Sequence, residues 1–244
     1  MLLAIDVGNT RIKSAVFKED TLLEFVITEP SVIQNKIKKI LYDYPEISDF
    51  IISSVGELSE NDFSWIKKSI KIHFVTPTSK FPFTNKYKTP HTLGIDRMIL
   101  ASGAVTKFPN QNRLVIDAGT AITYDFIDQD NNYLGGAISA GINLRYKALH
   151  TYTAKLPLLE KSEDSILIGQ TTSDSIHSGV INGVIFEIEG FIEELKSKYD
   201  NFIIILTGGD TDFLAKRLKS TIFANQNFLT ESLNDLYQYQ RTND

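Results

Sequence analysis

The chain has 244 residues, no cysteine and a formal net charge of −5. Without cysteine it has no disulfide, zinc–thiolate site or cysteine nucleophile, and its negative charge argues against nucleic-acid or anionic-membrane partners. No segment resembles a signal peptide or reaches the roughly 18 apolar residues of a membrane span, so a cytoplasmic location is expected.

The first half of the chain reads as strands followed by alternating helices and strands. Short apolar, β-prone runs predict strands, and apolar residues at helical spacing predict helices. In chain order these are strands at 2–7, 12–17 and 22–28, a helix from 30 to 41, a strand at 50–55, a helix at 61–70 and a strand at 72–75. A long connection at 76–92 follows, and connections of that length are often functional.

The second half repeats this plan. Strands are predicted at 114–117, 121–127, 133–138 and 202–206, helices at 141–152, 173–199 and 211–218, and the segment after Phe223 is polar with frayed last residues expected. Internal duplication predicts two similar α/β lobes of the same plan. We place the N-terminal lobe at 1–110 and the C-terminal lobe at 111–244, and expect the active site in the cleft between them.

The first candidate site is the turn after the first predicted strand. Gly8 lets the backbone approach a bulky anion, and Asn9 and Thr10 supply donors. Lys13 adds a point charge for a phosphate. Asp6 can hold a water on Mg²⁺, which prefers oxygen ligands. The alternative is a plain hairpin turn, in which these residue types are common.

A second copy of this motif stands at the matching place of the second lobe, in Asp117-Ala118-Gly119-Thr120-Ala121. Two such hairpins favour a clamp on a phosphate chain, since phosphoryl transfer needs mostly positioning and charge neutralisation.

Two further motifs are each open to two interpretations. In Thr207-Gly208-Gly209-Asp210, the glycines either admit a flat ligand such as a nucleoside or form a tight turn. In Gly94-Ile95-Asp96-Arg97, Asp96 either accepts a proton from an alcohol while Arg97 binds a carboxylate or phosphate, or it caps a helix with Arg97 in solvent.

The ordered set of motifs resembles the type III pantothenate kinases over about residues 2 to 210. It consists of the two hairpin motifs, Tyr87 with Pro90, Gly94-Ile95-Asp96-Arg97, Gly135-Gly136-Ala137-Ile138, and the run Ile168-Gly169, Thr172, Ser175-Ile176, Ser178-Gly179.

The resemblance implies the actin/Hsp70/sugar-kinase (ribonuclease H-like) fold and transfer of the γ-phosphate of ATP to pantothenate, the first step of coenzyme A synthesis. Asp96 would be the proton acceptor, and Tyr87 and residues 94–97 would contact pantothenate. Asp117 would bind K⁺ or ammonium, Thr120 would contact ATP, and residues 6–13 would form the first phosphate loop. Thr172 would line the pantothenate pocket across a homodimer.

Two positions depart from the family pattern. Ile95 replaces a small residue, which predicts different packing of that loop, and Ala140 replaces a proline, which predicts a looser turn. Two other functions stay open: a kinase for another small hydroxyl or carboxylate substrate, and a transcriptional accessory or regulatory protein on the same fold.

Overall fold

The computed structural model describes residues 1–8, 11–54, 63, 65–66 and 69–243. The chain forms two compact units. The first comprises 1–109, 131–133 and 227–244, and the second comprises 110–130 and 134–226. The predicted boundary at residue 110 places residues 227–244 in the second lobe, whereas these residues belong to the first compact unit.

The first unit is built on a mixed sheet with the strand order β3-β2-β1-β4-β5. Its strands and helices are β1 (Leu2–Val7), β2 (Ile12–Lys18), β3 (Thr21–Thr28), α1 (Ile33–Asp43), β4 (Asp49–Ser54), β5 (Lys71–Phe74), β6 (Thr84–Asn85), α2 (Ile95–Lys107) and the helix Phe228–Asn243. The central strand β1 pairs antiparallel with β2 and parallel with β4. Apolar side chains of these strands and of α1 form the core, including Leu3, Ile5, Val16, Ile37, Ile40, Phe50 and Ile52.

The second unit repeats this arrangement with the strands β11-β10-β7-β8-β9 of a six-stranded sheet. The sixth strand, β6, pairs in parallel with Asn132 and Tyr133 of β9, which belong with β6 to the first unit. Its elements are β7 (Asn112–Ala118), β8 (Ala121–Ile127), β9 (Asn132–Ala140), α3 (Ile142–Thr151), α4 (Thr172–His177), α5 (Gly183–Lys196), β10 (Phe202–Thr207), α6 (Thr211–Ala215) and β11 (Phe223–Ala224). The central strand β7 pairs antiparallel with β8 and parallel with β10. The predicted duplication is therefore present in strand order and strand direction.

One face of the β7-β8-β10 sheet carries the apolar core of the second unit. Leu114, Ile116, Tyr124 and Leu206 lie there, packed with buried residues of α3 and α5. Because side chains alternate along a strand, Asp117 and its neighbours across the sheet point to the opposite face. This alternation sets the position of the site described below.

Two helix predictions need correction. The continuous helix predicted over 173–199 is α4, a π-helical turn at Ser178–Asn182 and then α5. The polar segment after Phe223 contains a well-packed helix, α7 (Phe228–Asn243), which buries Leu229, Leu233 and Leu236. Its mixed composition hid an amphipathic face of helical period. The helix predicted at 61–70 lies largely outside the described residues.

No helix within the described residues combines the length and the apolar character needed to cross a membrane.

Candidate functional site

A row of polar side chains crosses the sheet of the first unit at the end of β1. Asp6 lies directly opposite Lys13 on β2 and opposite Ser53 on β4. Asp6 is 6% exposed, and the Ser53 hydroxyl donates a 2.8 Å hydrogen bond to Asp6 Oδ1. Burial raises the pKa of the Asp6 carboxyl, while Lys13 and the Ser53 hydrogen bond oppose that rise. The first unit therefore supplies its own cation and its own donor to this acid.

The turn after β1 is tight. Gly8 N–H donates to the Arg11 carbonyl at 3.1 Å, and a Cβ on Gly8 would stand 3.0 Å from that oxygen. A larger side chain would push the two backbone segments apart. Two residues predicted to bind phosphate here, Asn9 and Thr10, lie outside the described residues.

The residues predicted to contact pantothenate, Tyr87 and 94–97, lie in the first unit. Gly94 precedes α2, and Asp96 lies in its first turn. Asp96 Oδ1 accepts a 2.8 Å hydrogen bond from the Arg97 N–H, and a Cβ on Gly94 would stand 2.5 Å from the same oxygen. The Arg97 guanidinium lies 5.9 Å from the centre of the Tyr87 ring.

This geometry decides one point that the sequence left open. Asp96 does accept a helix-start N–H, as the capping interpretation expected. However, Arg97 is only 5% exposed rather than in solvent, and its guanidinium lies over the Tyr87 ring. Asp96 itself stays partly exposed and is close enough to Asp6 to raise the pKa of that carboxyl. Asp6 and Asp96 are thus close enough in the first unit for their charges to interact.

The second unit has an equivalent row, with different neighbours. Asp117 near the end of β7 lies opposite Thr123 on β8 and Thr207 on β10. The Oγ1 atoms of both threonines are buried, and neither has a hydrogen-bond partner within the described part of the chain. Asp117 remains partly exposed.

The turns beside Asp117 are fixed by backbone contacts. Gly119 N–H donates to the Ala121 carbonyl at 2.9 Å, and the Thr120 carbonyl accepts from Gly141 N–H at 3.0 Å. Gly208 has φ +98°, and a Cβ there would collide with Asp117 Oδ1 and would stand 2.5 Å from the Ala118 carbonyl oxygen. Only glycine satisfies both conditions.

The neighbouring Gly209 faces open space, since a Cβ there would meet no atom within 4 Å. The next residue, Asp210, is held by Lys161 through a 2.6 Å ion pair. The turn is therefore packed against Asp117 and Ala118 at Gly208 and has free space at Gly209.

Thr172 is the first residue of α4 and is exposed. It lines a cavity of about 750 Å³ in the second unit together with Arg145, Leu149, Ser175 and Ile176. The walls are mostly apolar, with polar groups at a few points, as is usual for small-molecule sites.

The two departures from the family pattern have local consequences. Ile95 is buried as the first residue of α2. The carbonyl of Ala140 accepts a 2.8 Å hydrogen bond from Arg145 Nε, so this turn is held by a side chain where the sequence predicted a looser one.

Within the described residues, no three His, Cys, Asp or Glu side chains group as metal ligands. Asp6 and Asp117 offer oxygen donors of the kind that Mg²⁺ and alkali ions bind.

Sequence reasoning gave no role to Ser53 or Thr123, and it noted Thr207 only as the start of the glycine turn. Thr123 could have been found by counting across the predicted hairpin from Asp117. The positions of Ser53 and Thr207 opposite the aspartates depend on the register of parallel strands, which the sequence does not reveal.

The chain matches the sequence model of the type III pantothenate kinase family over residues 2–194. It is 58% identical to the type III pantothenate kinase of Flavobacterium johnsoniae, covering 100% of both chains. It is 36% identical to that of Bacteroides fragilis strain YCH46, with 98% of each covered.

Among solved structures it is similar to a candidate Baf family transcriptional activator from Campylobacter jejuni (TM-score 0.63, 23% identity, 98% and 99% covered). It is also similar to MreB 5 of Spiroplasma citri (TM-score 0.53, 12% identity, 99% and 97% covered). At these identities the structures show the fold alone, and the predicted actin-like ATPase fold is confirmed. By its sequence, the chain belongs to the type III pantothenate kinase family.

Proposed function

We propose that this protein transfers the γ-phosphate of ATP to the primary hydroxyl of pantothenate, giving 4′-phosphopantothenate, the first step of coenzyme A synthesis. Family membership over most of the chain supports this proposal. The observation that carries it is the grouping of Asp96, Arg97 and Tyr87 at the start of α2, with Asp96 close enough to act on the charge of Asp6.

On the acceptor side, Asp96 orients the hydroxyl of pantothenate and accepts its proton late, because phosphoryl transfer has a loose transition state in most analyses. Its hydrogen bond from Arg97 N–H fixes the carboxylate in one orientation. The Arg97 guanidinium, held over Tyr87, binds the carboxylate of pantothenate or the transferring phosphate. Gly94 and Ile95 complete the contact surface.

On the nucleotide side, residues 6–13 form the first phosphate loop, with Gly8, Asn9 and Thr10 as donors and Lys13 as the charge. Gly119 and Thr120 form the second loop, and Gly208 and Gly209 accept the adenosine. Asp6 would hold Mg²⁺ through water, and Asp117 would hold K⁺ or NH₄⁺. These ions would offset the negative charge of the triphosphate.

We further propose a homodimer in which Thr172 contacts pantothenate bound by the partner chain. Large apolar side chains are exposed on the second unit, among them Ile168 at 79%, four residues before Thr172, and Phe186 at 61%, on α5. Exposed apolar groups of this size mark interaction surfaces. Light scattering of the purified chain should give the mass of a dimer, and Phe186→Asp should give a monomer with a raised KM for pantothenate.

The function is tested by incubating the purified chain with ATP, Mg²⁺ and pantothenate, in K⁺ and in Na⁺ alone. Formation of 4′-phosphopantothenate that depends on K⁺ supports the substrate and the cation together. ATP turnover without this product moves the function to another acceptor. A chain that neither turns over ATP nor makes product favours the regulatory function.

A further inference from the structure

We infer that Thr123 and Thr207 supply hydroxyl oxygens to the monovalent cation at Asp117. This inference rests on the proposed Asp117 cation site and adds two ligands to it. The starting observation is the strand register, which places both threonines directly opposite Asp117 on the two strands that flank β7. Residues opposite one another on adjacent strands project from the same face of a sheet, so the three side chains form one row.

Burial is the second observation. Thr207 is 1% exposed, and the Oγ1 atoms of both threonines are buried without a hydrogen-bond partner among the described residues. A buried hydroxyl left unsatisfied is destabilising, and most such groups in folded proteins find a partner. Two of them on either side of one carboxylate indicate a bound group that satisfies both.

The charge of the row indicates what this group is. A hydroxyl has one donor hydrogen and two acceptor lone pairs, so it could face a cation, an anion or water. The Asp117 carboxylate between the two hydroxyls disfavours an anion. One carboxylate with two neutral oxygens balances a single positive charge. Mg²⁺ would instead keep most of its water shell, which does not need buried threonine oxygens.

The first unit supplies an internal comparison. There, the positions equivalent to Thr123 and Thr207 are Lys13 and Ser53. Lys13 provides a covalently attached cation, and Ser53 donates its hydrogen bond to Asp6. In the second unit, both flanking positions carry neutral hydroxyls instead.

The experiment measures thermal unfolding in KCl and in choline chloride at equal ionic strength, with and without a non-hydrolysable ATP analogue and Mg²⁺. The variants are Thr123→Val and Thr207→Val, which remove a hydroxyl and keep the shape. The matched control is Thr28→Val, because Thr28 Oγ1 is also buried without a partner but lies on β3 of the first unit. Thr123→Ser and Thr207→Ser keep the hydroxyl and remove only the methyl group, so they separate loss of the oxygen from loss of packing.

We expect K⁺ to raise the unfolding midpoint of the wild type, of Thr28→Val and of both serine variants. In Thr123→Val and Thr207→Val, the K⁺ concentration for half of this shift should rise at least tenfold. Their midpoints in choline should stay equal to wild type or rise, since a buried unsatisfied group is gone. A merely structural role would lower those midpoints and leave the K⁺ shift unchanged.

The outcomes separate the two proposals. An unchanged K⁺ shift in both valine variants overturns the threonine ligands and leaves the Asp117 site in place. No K⁺ shift in the wild type, with or without nucleotide, overturns the cation site and this inference with it. The pantothenate assay on the same preparations then tells whether the kinase function itself stands.

Discussion

The two units build the same three-strand row around an aspartate and complete it differently. In the first unit, Asp6 lies between Lys13 and Ser53, which bring a cationic side chain and a hydrogen-bond donor from within the chain. In the second unit, Asp117 lies between two threonines whose hydroxyls are unsatisfied within the described residues. The duplicated backbone thus fixes where the aspartate stands, while the flanking side chains differ: a lysine and a serine in the first unit, and two threonines in the second.

The largest expected effect concerns Asp96, the acid that lies close to Asp6 in the first unit. Asp96→Asn should lower kcat by about 10²- to 10⁴-fold, the usual contribution of a positioned general base. The affinity for ATP should change little, because the amide keeps the shape and can still accept from Arg97 N–H. Steady-state kinetics and nucleotide titration measure the two quantities.

Asp43→Asn is the matched control, since Asp43 is an exposed aspartate of the same unit and should behave as wild type. Equal losses of kcat and ATP affinity in Asp96→Asn would contradict the role of proton acceptor.

A second prediction concerns Asp235, a carboxyl whose burial in the folded chain lowers the free energy of unfolding at neutral pH. Burial raises the pKa of Asp235 to about 6 from an ordinary value of 3.8; Lys107 opposes this, and Asp20 and Glu231 add to it. A raised pKa in the folded state stabilises the fold at low pH, and this contribution is lost as the pH rises from about 4 through about 6. Asp235→Asn should therefore raise the free energy of unfolding by about 3 kcal/mol at pH 7.5.

The same substitution should have no effect near pH 3.5, where the carboxyl is protonated in both the folded and the unfolded chain. Denaturant unfolding at several pH values measures this difference. A stabilisation that does not vary with pH would show that packing, rather than ionisation, is responsible.

A third prediction tests whether the row at Asp117 can be given the lysine of the row at Asp6. Thr123→Lys places a lysine where Lys13 stands relative to Asp6. The attached ammonium should replace the dissolved cation, so the variant should lose the K⁺-dependent stabilisation. That stabilisation is worth about 1.4 kcal/mol at ten times the dissociation constant. Thermal unfolding in KCl and choline chloride measures it, with Thr28→Lys as the control; retention of the full K⁺ shift would mean that the two rows are not equivalent.

The smallest effect concerns the donor in the first row. Ser53→Ala removes the 2.8 Å hydrogen bond to Asp6 and should cost about 1 kcal/mol in the free energy of unfolding at neutral pH. It should also raise the pKa of Asp6 further, because a hydrogen bond to the charged form is lost. Unfolding measurements and carboxyl titration by NMR would check both effects. Ser14→Ala is the control, since the buried Ser14 hydroxyl has no partner among the described residues.

Much of this arrangement was predictable from sequence, because its signals are local. Apolar runs predicted the central strands β1 and β7. The repeated acid–glycine turn predicted that Asp6 and Asp117 occupy equivalent positions in the two lobes. A tight turn at Gly208 was one of the two interpretations that the sequence left open, and its close approach to Asp117 depends on the pairing of β10 with β7. Sequence spacing does not carry that register across a parallel connection.

The remaining differences have a common cause, which is tertiary context. α7 follows a polar stretch of chain, yet Leu229, Leu233 and Leu236 form a buried stripe against the first unit. The predicted continuous helix over 173–199 is interrupted by a π-helical turn that contains Gly179, and such turns are not encoded by hydrophobic period.

α7 is synthesised last, although it belongs to the first unit. A ribosome makes residues 110–226 before it makes α7, although α7 completes the first unit. During translation, the second unit can therefore finish its core while the first still exposes the apolar surface of α2 that α7 later covers. Synthesis of the first unit begins earlier, but its folding ends later, and chaperones would meet its uncovered surface for most of the time that the chain takes to emerge.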